Sequence, residues 1–153
     1  MVSRTTDRLF IDFLIADDMS VLESGDLPKY IPFPIDFAGY LHSNGFWSAI
    51  TPAAPVSIGG ADGYQIDAIG KASASSRMGF LNCNTCASGF KEFVGPDAQK
   101  FRFIFLENIS GKRLLVVIGF DVDPGVSAVS VSQFDASIPQ IQEVLDTVVF
   151  TKP

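Results

Sequence analysis

The sequence predicts an α+β fold in which a mostly antiparallel sheet is accompanied by one helix before its central hairpin and a second, C-terminal helix. Three observations favour this class. Apolar segments of strand length are separated by short Gly-containing turns, which join neighbouring strands as hairpins. The segment from Leu114 to Phe120 is continuously apolar, as expected for a central strand covered on both faces. Near the end of the chain, apolar residues recur at helical spacing.

The composition indicates one globular domain spanning residues 1–153. Apolar residues make up 47% of the chain and charged residues 18%, whereas disordered chains are poor in apolar residues and highly charged. The formal net charge is -6, and the 11 Lys and Arg residues are scattered rather than clustered. This pattern argues against nucleic acid or an anionic membrane surface as a partner.

The sequence shows no apolar run close to the roughly 20 residues of a membrane span, so we expect no transmembrane segment. The N-terminal residues lack the basic, apolar and small-residue regions of a signal peptide. Two alternatives for the origin of the chain stay open. It is a cytoplasmic protein, or it is a domain excised from a longer chain.

The first predicted element is a strand from Arg8 to Ile15, a mostly apolar segment of strand length whose residues divide between two faces. One face carries Phe10, Asp12 and Leu14, and the other carries Leu9, Ile11, Phe13 and Ile15. Asp17 and Asp18 are expected to end this strand. Residues 24–34 contain three prolines and are predicted to be a connector.

A short helix is predicted next, beginning near Asp36 as its N-cap and ending at Gly45. Its apolar stripe consists of Phe37, Tyr40 and Leu41. Pro52 and Pro55 restrict the following segment to a sheet edge or a loop.

The central hairpin is predicted around Gly59-Gly60, because glycine supplies the positive φ angles of a tight turn. Its second strand runs from Tyr64 to Ile69. Residues 70–89 are small and polar and are predicted to be a long loop. An alternating segment around Phe103 then turns at residues 108–111 into the Leu114–Phe120 strand.

The last helix is predicted to begin at Ser132 as its N-cap, with Asp135 favourably placed in the first turn. Its apolar face consists of Phe134, Ile138, Ile141, Leu145 and Val148, at spacings of four and three residues. Pro139 lies inside this helix and is a candidate kink.

Three segments resemble a family of uncharacterised extracytoplasmic domains from actinobacteria and related bacteria. They are Gly39–Gly45 (GYLHSNG), Pro55–Asp67 (PVSIGGADGYQID) and Phe134–Phe150. These domains are similar to the extrinsic PsbP protein of photosystem II and to LpqN-type lipoproteins. The resemblance implies a PsbP-like α/β/α sandwich and an extracytoplasmic binding or accessory domain. It brings no catalytic motif, and the family's upstream strand pair with a Trp is not found in this sequence.

Cys83 and Cys86 form a CxxC pair. A redox pair needs a thiolate stabilised at a helix N-terminus, but the residues that follow, Ala87-Ser88-Gly89, are poor material for a helix. A zinc site needs four ligands, and the chain has one His and two Cys. We expect a structural disulfide or two inert thiols, with metal binding, dimer bridging and redox catalysis as the alternatives.

His42 is the only histidine and lies near the end of the first predicted helix, where a cation interacts favourably with the helix dipole. We expect a surface or capping histidine. The alternative is a hydrolase that depends on His42, but no GxSxG motif accompanies it.

Several aromatic residues crowd the segment between residues 30 and 47. One hypothesis is a pocket for a small apolar ligand between the first helix and the sheet, with Tyr40 and Trp47 at its mouth. Tyr30 and His42 are the other candidate ligand-binding residues. The competing interpretation is close packing in the core.

No residue pattern predicts a catalytic site, a metal site or a cofactor. We therefore expect a non-catalytic binding or accessory domain whose partner is an unknown small molecule or protein. The alternatives are a small enzyme, using either the CxxC pair or His42, and an interaction module that forms a homodimer through an exposed edge strand.

Overall fold

A computed structural model describes residues 8–15, 18–22, 29–43, 47–70, 77–81, 91–94, 99–121 and 130–151. Within these residues the fold is α+β and its strand pairings are antiparallel, which confirms the predicted class. The elements are β1 (Arg8–Ile15), β2 (Asp18–Leu22), β3 (Lys29–Pro32), α1 (Phe37–Ser43), β4 (Trp47–Ile50), β5 (Ala54–Ile58), β6 (Ala61–Gly70), β7 (Arg77–Leu81), β8 (Lys91–Val94), β9 (Lys100–Ile109), β10 (Lys112–Asp121) and α2 (Val131–Asp146). As predicted, one helix precedes the central hairpin and one is C-terminal.

The larger sheet has six strands in the order β1-β10-β9-β6-β4, with β5 also paired to β6. β5 pairs with the first half of β6 and β4 with its last residues, so these two short strands share one edge. β1 forms the other edge. The predicted strands at Arg8–Ile15 and Leu114–Phe120 are confirmed, and residues 115–118 are fully buried as expected for an interior strand.

The smaller sheet has the order β3-β2-β7-β8 and was largely missed by the sequence prediction. Asp18 begins β2 instead of ending a strand, β3 lies within the predicted connector, and β7 lies within the predicted loop. These strands are four or five residues long, and prolines or small polar residues surround them. Such short segments carry too little alternation to be recognised, because their backbone pairing rather than a side-chain period defines them.

Each helix packs against one face of the larger sheet. Phe101, Phe103 and Phe105 of β9 form a buried cluster with α1, and this side is called the α1 face. Ile104 and Leu106, which alternate with them, form a second cluster with α2 on the α2 face. The finer prediction of a PsbP-like sandwich stays a prediction.

The predicted start of α1 is confirmed. Asp36 caps the helix, because the backbone N–H of Gly39 donates to its Oδ1 at 2.9 Å. Phe37 and Leu41 from the predicted stripe are fully buried. The described helix ends at Ser43.

The predicted start of α2 is wrong by two residues. Ser130 is the N-cap, and it forms a capping box with Gln133, whose side chain accepts from the Ser130 N–H at 2.9 Å. Ser132 could also cap a helix, but a capping box needs Glu or Gln three residues after the cap. Gln133 has that position relative to Ser130, so Ser130 is the N-cap. The predicted apolar face is confirmed by Phe134, Ile141 and Leu145, which are buried, and the helix continues through Pro139.

Candidate functional site

A cleft of about 460 Å³ opens at one end of the larger sheet. It lies between the β5–β6 turn, the β9–β10 turn and the residues that follow α2. Its lining consists of Gly59, Gly60, Ala61, Asp62, Glu107, Asn108, Ile109, Ser110, Phe150 and Thr151. The volume falls within the range of small-molecule sites, roughly 300–1,000 Å³.

The first wall is the Gly59-Gly60 turn that the sequence predicted. Both residues adopt left-handed backbone angles, with φ of 58° and 80°. A Cβ on Gly59 would lie 2.8 Å from Cδ2 of Phe150. Glycine at this position therefore allows the Phe150 ring to approach the turn and form part of the cleft.

The second wall is the turn at residues 108–111, which the sequence also predicted. Asn108 and Ser110 adopt left-handed backbone angles, with φ of 58° and 52°. Such angles are uncommon outside glycine and are better tolerated by Asn than by most residues. The turn makes Asn108 and Ser110 part of the lining of the cleft.

Two carboxylates line the cleft, one from each of two neighbouring strands. Asp62 precedes Gly63 of β6 and Glu107 follows Leu106 of β9, and Gly63 and Leu106 are register partners. Both side chains are exposed. In the described part of the chain, no Lys or Arg lines this cleft.

The chemistry of the lining is that of a polar ligand site with one apolar side. The carboxylates accept hydrogen bonds, while the amide and hydroxyl groups both donate and accept. Phe150 belongs to the apolar cluster of the α2 face and supplies a ring surface. The arrangement suits a small molecule that carries several hydroxyl or amino donors.

Tyr64 lies beside the cleft on the α1 face. Its ring stacks on Phe105 with centroids 5.2 Å apart. Burial raises the pKa of Tyr64, and the nearby Asp36 carboxylate raises it further. The phenol therefore stays protonated near neutral pH.

The structure places two of the predicted ligand-binding residues in the aromatic cluster of the α1 face. Tyr40 is half-buried and its ring stacks on Phe37 at 6.3 Å. Trp47 is half-buried and meets Phe103 edge-on at 5.6 Å. Phe37 in turn contacts Phe103 at 5.5 Å, so these rings link Tyr40 to Trp47. Neither residue lines the cleft.

The other predicted site residues belong to α1 and β3 or lie outside the described residues. His42 is exposed in the last turn of α1. Tyr30 belongs to β3, where it pairs with Ser20. Cys83 and Cys86 lie outside the described residues. Among the residues that are described, no group of three or more His, Cys, Asp or Glu is placed to hold a metal ion.

The residues of the cleft were missed as a site, although both turns were predicted. The two turns and the C-terminal segment are separated by about 40 to 50 residues along the chain. The antiparallel pairing of β6 with β9 brings the two turns together, and the return of the chain after α2 adds the C-terminal segment. Two features of the sequence could have indicated the cleft. They are the paired glycines Gly59 and Gly60, and Phe150 at the end of the Phe134–Phe150 segment that resembles the family.

No family model, curated protein or solved structure matches this chain. The resemblance to PsbP-like and LpqN-type domains therefore stays a prediction. None of the described helices is both long enough and apolar enough to cross a membrane.

Proposed function

We propose that this protein is a non-catalytic binding domain whose cleft takes a small polar molecule that is uncharged or cationic. The observation that supports the proposal is the lining itself. Carboxylate, amide and hydroxyl groups surround a space of about 460 Å³, with the Phe150 ring on one side. Sites for small molecules combine an apolar surface with a few convergent polar groups in this way.

Electrostatics favours this ligand class over anions. Asp62 and Glu107 both line the cleft and give it negative charge. Among the described lining residues there is no Lys or Arg to offset that charge. A ligand that donates hydrogen bonds, or that carries a positive charge, is attracted to these carboxylates, whereas an anion is repelled.

The proposal includes an extracytoplasmic location and an accessory role, and both rest on the family resemblance. The small enzyme remains the alternative. A redox enzyme would depend on Cys83 and Cys86, and a hydrolase on His42. The cleft favours the binding function because the described residues of its lining include no His or Cys.

The test is a titration of the isotope-labelled protein followed by NMR, with glucose, spermidine and citrate as the neutral, cationic and anionic probes. We expect saturable shifts at Gly60, Asn108 and Thr151 with glucose or spermidine and none with citrate. Asp62→Asn should weaken binding at least about tenfold, because a charged acceptor is lost. Glu143→Gln is the control, since Glu143 is exposed on α2 and does not line the cleft. Shifts with citrate alone, or with none of the probes, would contradict the proposal.

Self-association through β1 is a second candidate function, because the two edges of the larger sheet differ. The β4–β5 edge has two short strands, Pro55 and a register irregularity, all of which hinder pairing with another chain. β1 is eight residues long and contains no Pro, Gly or Lys. Phe13 on this strand is 41% exposed, and among the described strands β10 alone is hydrogen-bonded to β1, although β7 of the smaller sheet also contacts it.

Light scattering after size-exclusion chromatography tests this second candidate. A dimer is expected for the wild type and a monomer for Phe13→Lys. Val149→Lys is the matched control, because Val149 is 78% exposed but lies outside β1. A monomeric wild type at about 100 μM would rule out a stable dimer, whose dissociation constant would be micromolar or lower.

A further inference from the structure

Two buried polar atoms lack a hydrogen-bond partner in the part of the chain that the structure describes. They are the indole Nε1 of Trp47, which is a donor, and the side-chain Oε1 of Gln99, which is an acceptor. Gln99 is only 2% exposed. Buried polar groups in folded proteins almost always have a partner, because an unpaired one costs free energy.

Strand pairing brings these two residues to the same place. Trp47 of β4 lies across from Gly70 of β6. On its other side, the Gly70 N–H donates to the backbone oxygen of Gln99 at 3.0 Å. Trp47 and Gln99 therefore flank one glycine, with Cα atoms about 10 Å apart as expected for two strand spacings.

Both side chains lie on the α1 face. The Trp47 indole meets Phe101 and Phe103 edge-on, at 6.1 Å and 5.6 Å between ring centroids. The hydrogen bond from Gly70 to Gln99 continues the β6–β9 register by one residue beyond the Ile69–Lys100 pair, which places Gln99 on the same face as Phe101, two residues later. The indole reaches across β6 to these rings because Gly70 has no side chain and Ala68 has only a methyl group.

The orientation of the Gln99 amide is fixed. Its Nε2 donates to the backbone oxygen of Phe120. Turning the amide over would bring Oε1 against that carbonyl oxygen, so Oε1 remains the acceptor that needs a donor. The Trp47 N–H, which can only donate, needs an acceptor.

We propose that Trp47 and Gln99 hold one hydroxyl group between them. A hydroxyl oxygen can accept from the indole N–H while its hydrogen is donated to Gln99 Oε1, so one hydroxyl satisfies both atoms. The hydroxyl comes either from a buried water molecule or from a small alcohol or phenol. In the second case the rings of Phe101 and Phe103 supply the apolar surroundings for the rest of the ligand.

The chain contains a single Trp, so its indole N–H gives one assignable NMR signal. We expect this N–H to exchange with solvent at least tenfold more slowly than that of free tryptophan, and to show cross-relaxation with a bound hydroxyl. Gln99→Met keeps the side-chain length but removes the acceptor, and it should shift the indole signal and speed its exchange. Gln140→Met is the control, because Gln140 is exposed on α2.

Phenol and benzene distinguish the two sources of the hydroxyl. Saturable changes in the indole signal with phenol but not with benzene, weakened about tenfold by Gln99→Met, would assign the site to a ligand hydroxyl. Cross-relaxation with water, unchanged by phenol, would assign it to a buried water. The proposal would be overturned if the wild-type indole N–H exchanged at the rate of free tryptophan and showed no cross-relaxation. It would also be overturned by a direct hydrogen bond from the Trp47 N–H to Gln99 Oε1. Exchange and cross-relaxation of the indole N–H are measured on the wild type, so they test the proposal even if Gln99→Met fails to fold.

Discussion

Arg102 and Asp67 stand directly across from each other on β9 and β6, and the guanidinium donates two hydrogen bonds to the carboxylate, at 2.7 Å and 3.0 Å. Lys100 extends this pair. Its Nζ lies 3.1 Å from Oδ2 of Asp67 and 2.6 Å from Oδ1 of Asp135 on α2. The Arg102 and Asp67 side chains are each only 11% exposed. The four residues therefore form a charged network that joins the sheet to the first turns of α2.

Asp67→Asn should lower the free energy of unfolding by about 2–4 kcal/mol, because it leaves two largely buried cations without their shared carboxylate. Asp135→Asn is the matched control. The Asp135 side chain is 48% exposed, so its loss should cost about 1 kcal/mol or less. Urea unfolding of both variants measures the difference. Equal costs would mean that the network does not depend on Asp67.

The same network predicts how stability depends on pH. Burial raises the pKa of Asp67, but the hydrogen bonds and charges of Arg102 and Lys100 outweigh burial and hold that pKa below its ordinary value of 3.8. The unfolded chain therefore binds a proton at a higher pH than the folded chain. As the pH falls below about 3.8, the free energy of unfolding should decrease until the folded pKa is passed. Urea midpoints between pH 6 and 2.5 test this, and Asp67→Asn should flatten the decrease. Parallel curves for the two proteins would contradict it.

Leu145→Ala should cost about 2–5 kcal/mol, the usual range for truncating a buried Leu. Leu145 is 3% exposed and packs into the cluster of the α2 face. Val144→Ala is the control on the neighbouring residue, because Val144 is 45% exposed and alanine favours the helix. Its free energy of unfolding should change by less than about 1 kcal/mol. If Leu145→Ala lowered the free energy of unfolding less than Val144→Ala does, the helix would pack in another register.

Ser130→Ala should lower stability by about 1 kcal/mol, because the Ser130 hydroxyl accepts from the Gln133 N–H at 3.2 Å. Ser132→Ala, the cap expected from sequence, should cost less than half as much. Ser132 makes a 3.1 Å contact with the Ser130 hydroxyl but caps no backbone N–H in the described structure. Thermal unfolding of the two variants compares them. The opposite order would restore Ser132 as the cap.

The elements that could be predicted from sequence are those with an apolar pattern that extends over many residues, or with a strong turn signal. β1 is eight residues long and six of them are apolar, and α2 repeats its apolar residues over 16 residues. β3 and β7 could not be predicted, because they hold four and five residues without a repeated pattern. The first residue of a helix is harder to predict than the helix itself. Ser130 and Ser132 are equally good N-caps until Gln133, the capping-box partner of Ser130, is considered.

The cleft shows why the candidate site was harder to predict than the fold. Each residue of its lining has an ordinary local explanation, since Gly59 and Asn108 are typical turn residues and Asp62 is a typical surface residue. Their convergence depends on the pairing of β6 with β9 and on the return of the chain after α2. None of these long-range contacts leaves a period in the sequence. By contrast, the crowding of aromatic residues between residues 30 and 47 was visible in the sequence.

Gly59→Ala and Gly60→Ala together test how the first wall of the cleft is built. Both glycines have left-handed backbone angles, so alanine at either position should cost about 1 kcal/mol through backbone strain. A Cβ on Gly60 would meet nothing within 4 Å, whereas a Cβ on Gly59 would also press on the Phe150 ring and on the Val148 carbonyl at 3.0 Å. Gly59→Ala should therefore cost about 1–3 kcal/mol more than Gly60→Ala. It should also displace Phe150 and weaken any probe bound in the cleft. Urea unfolding gives the first comparison and the NMR titration gives the second. Equal costs would mean that Phe150 adapts without strain, and the ring would then not be held in place as a wall of the site.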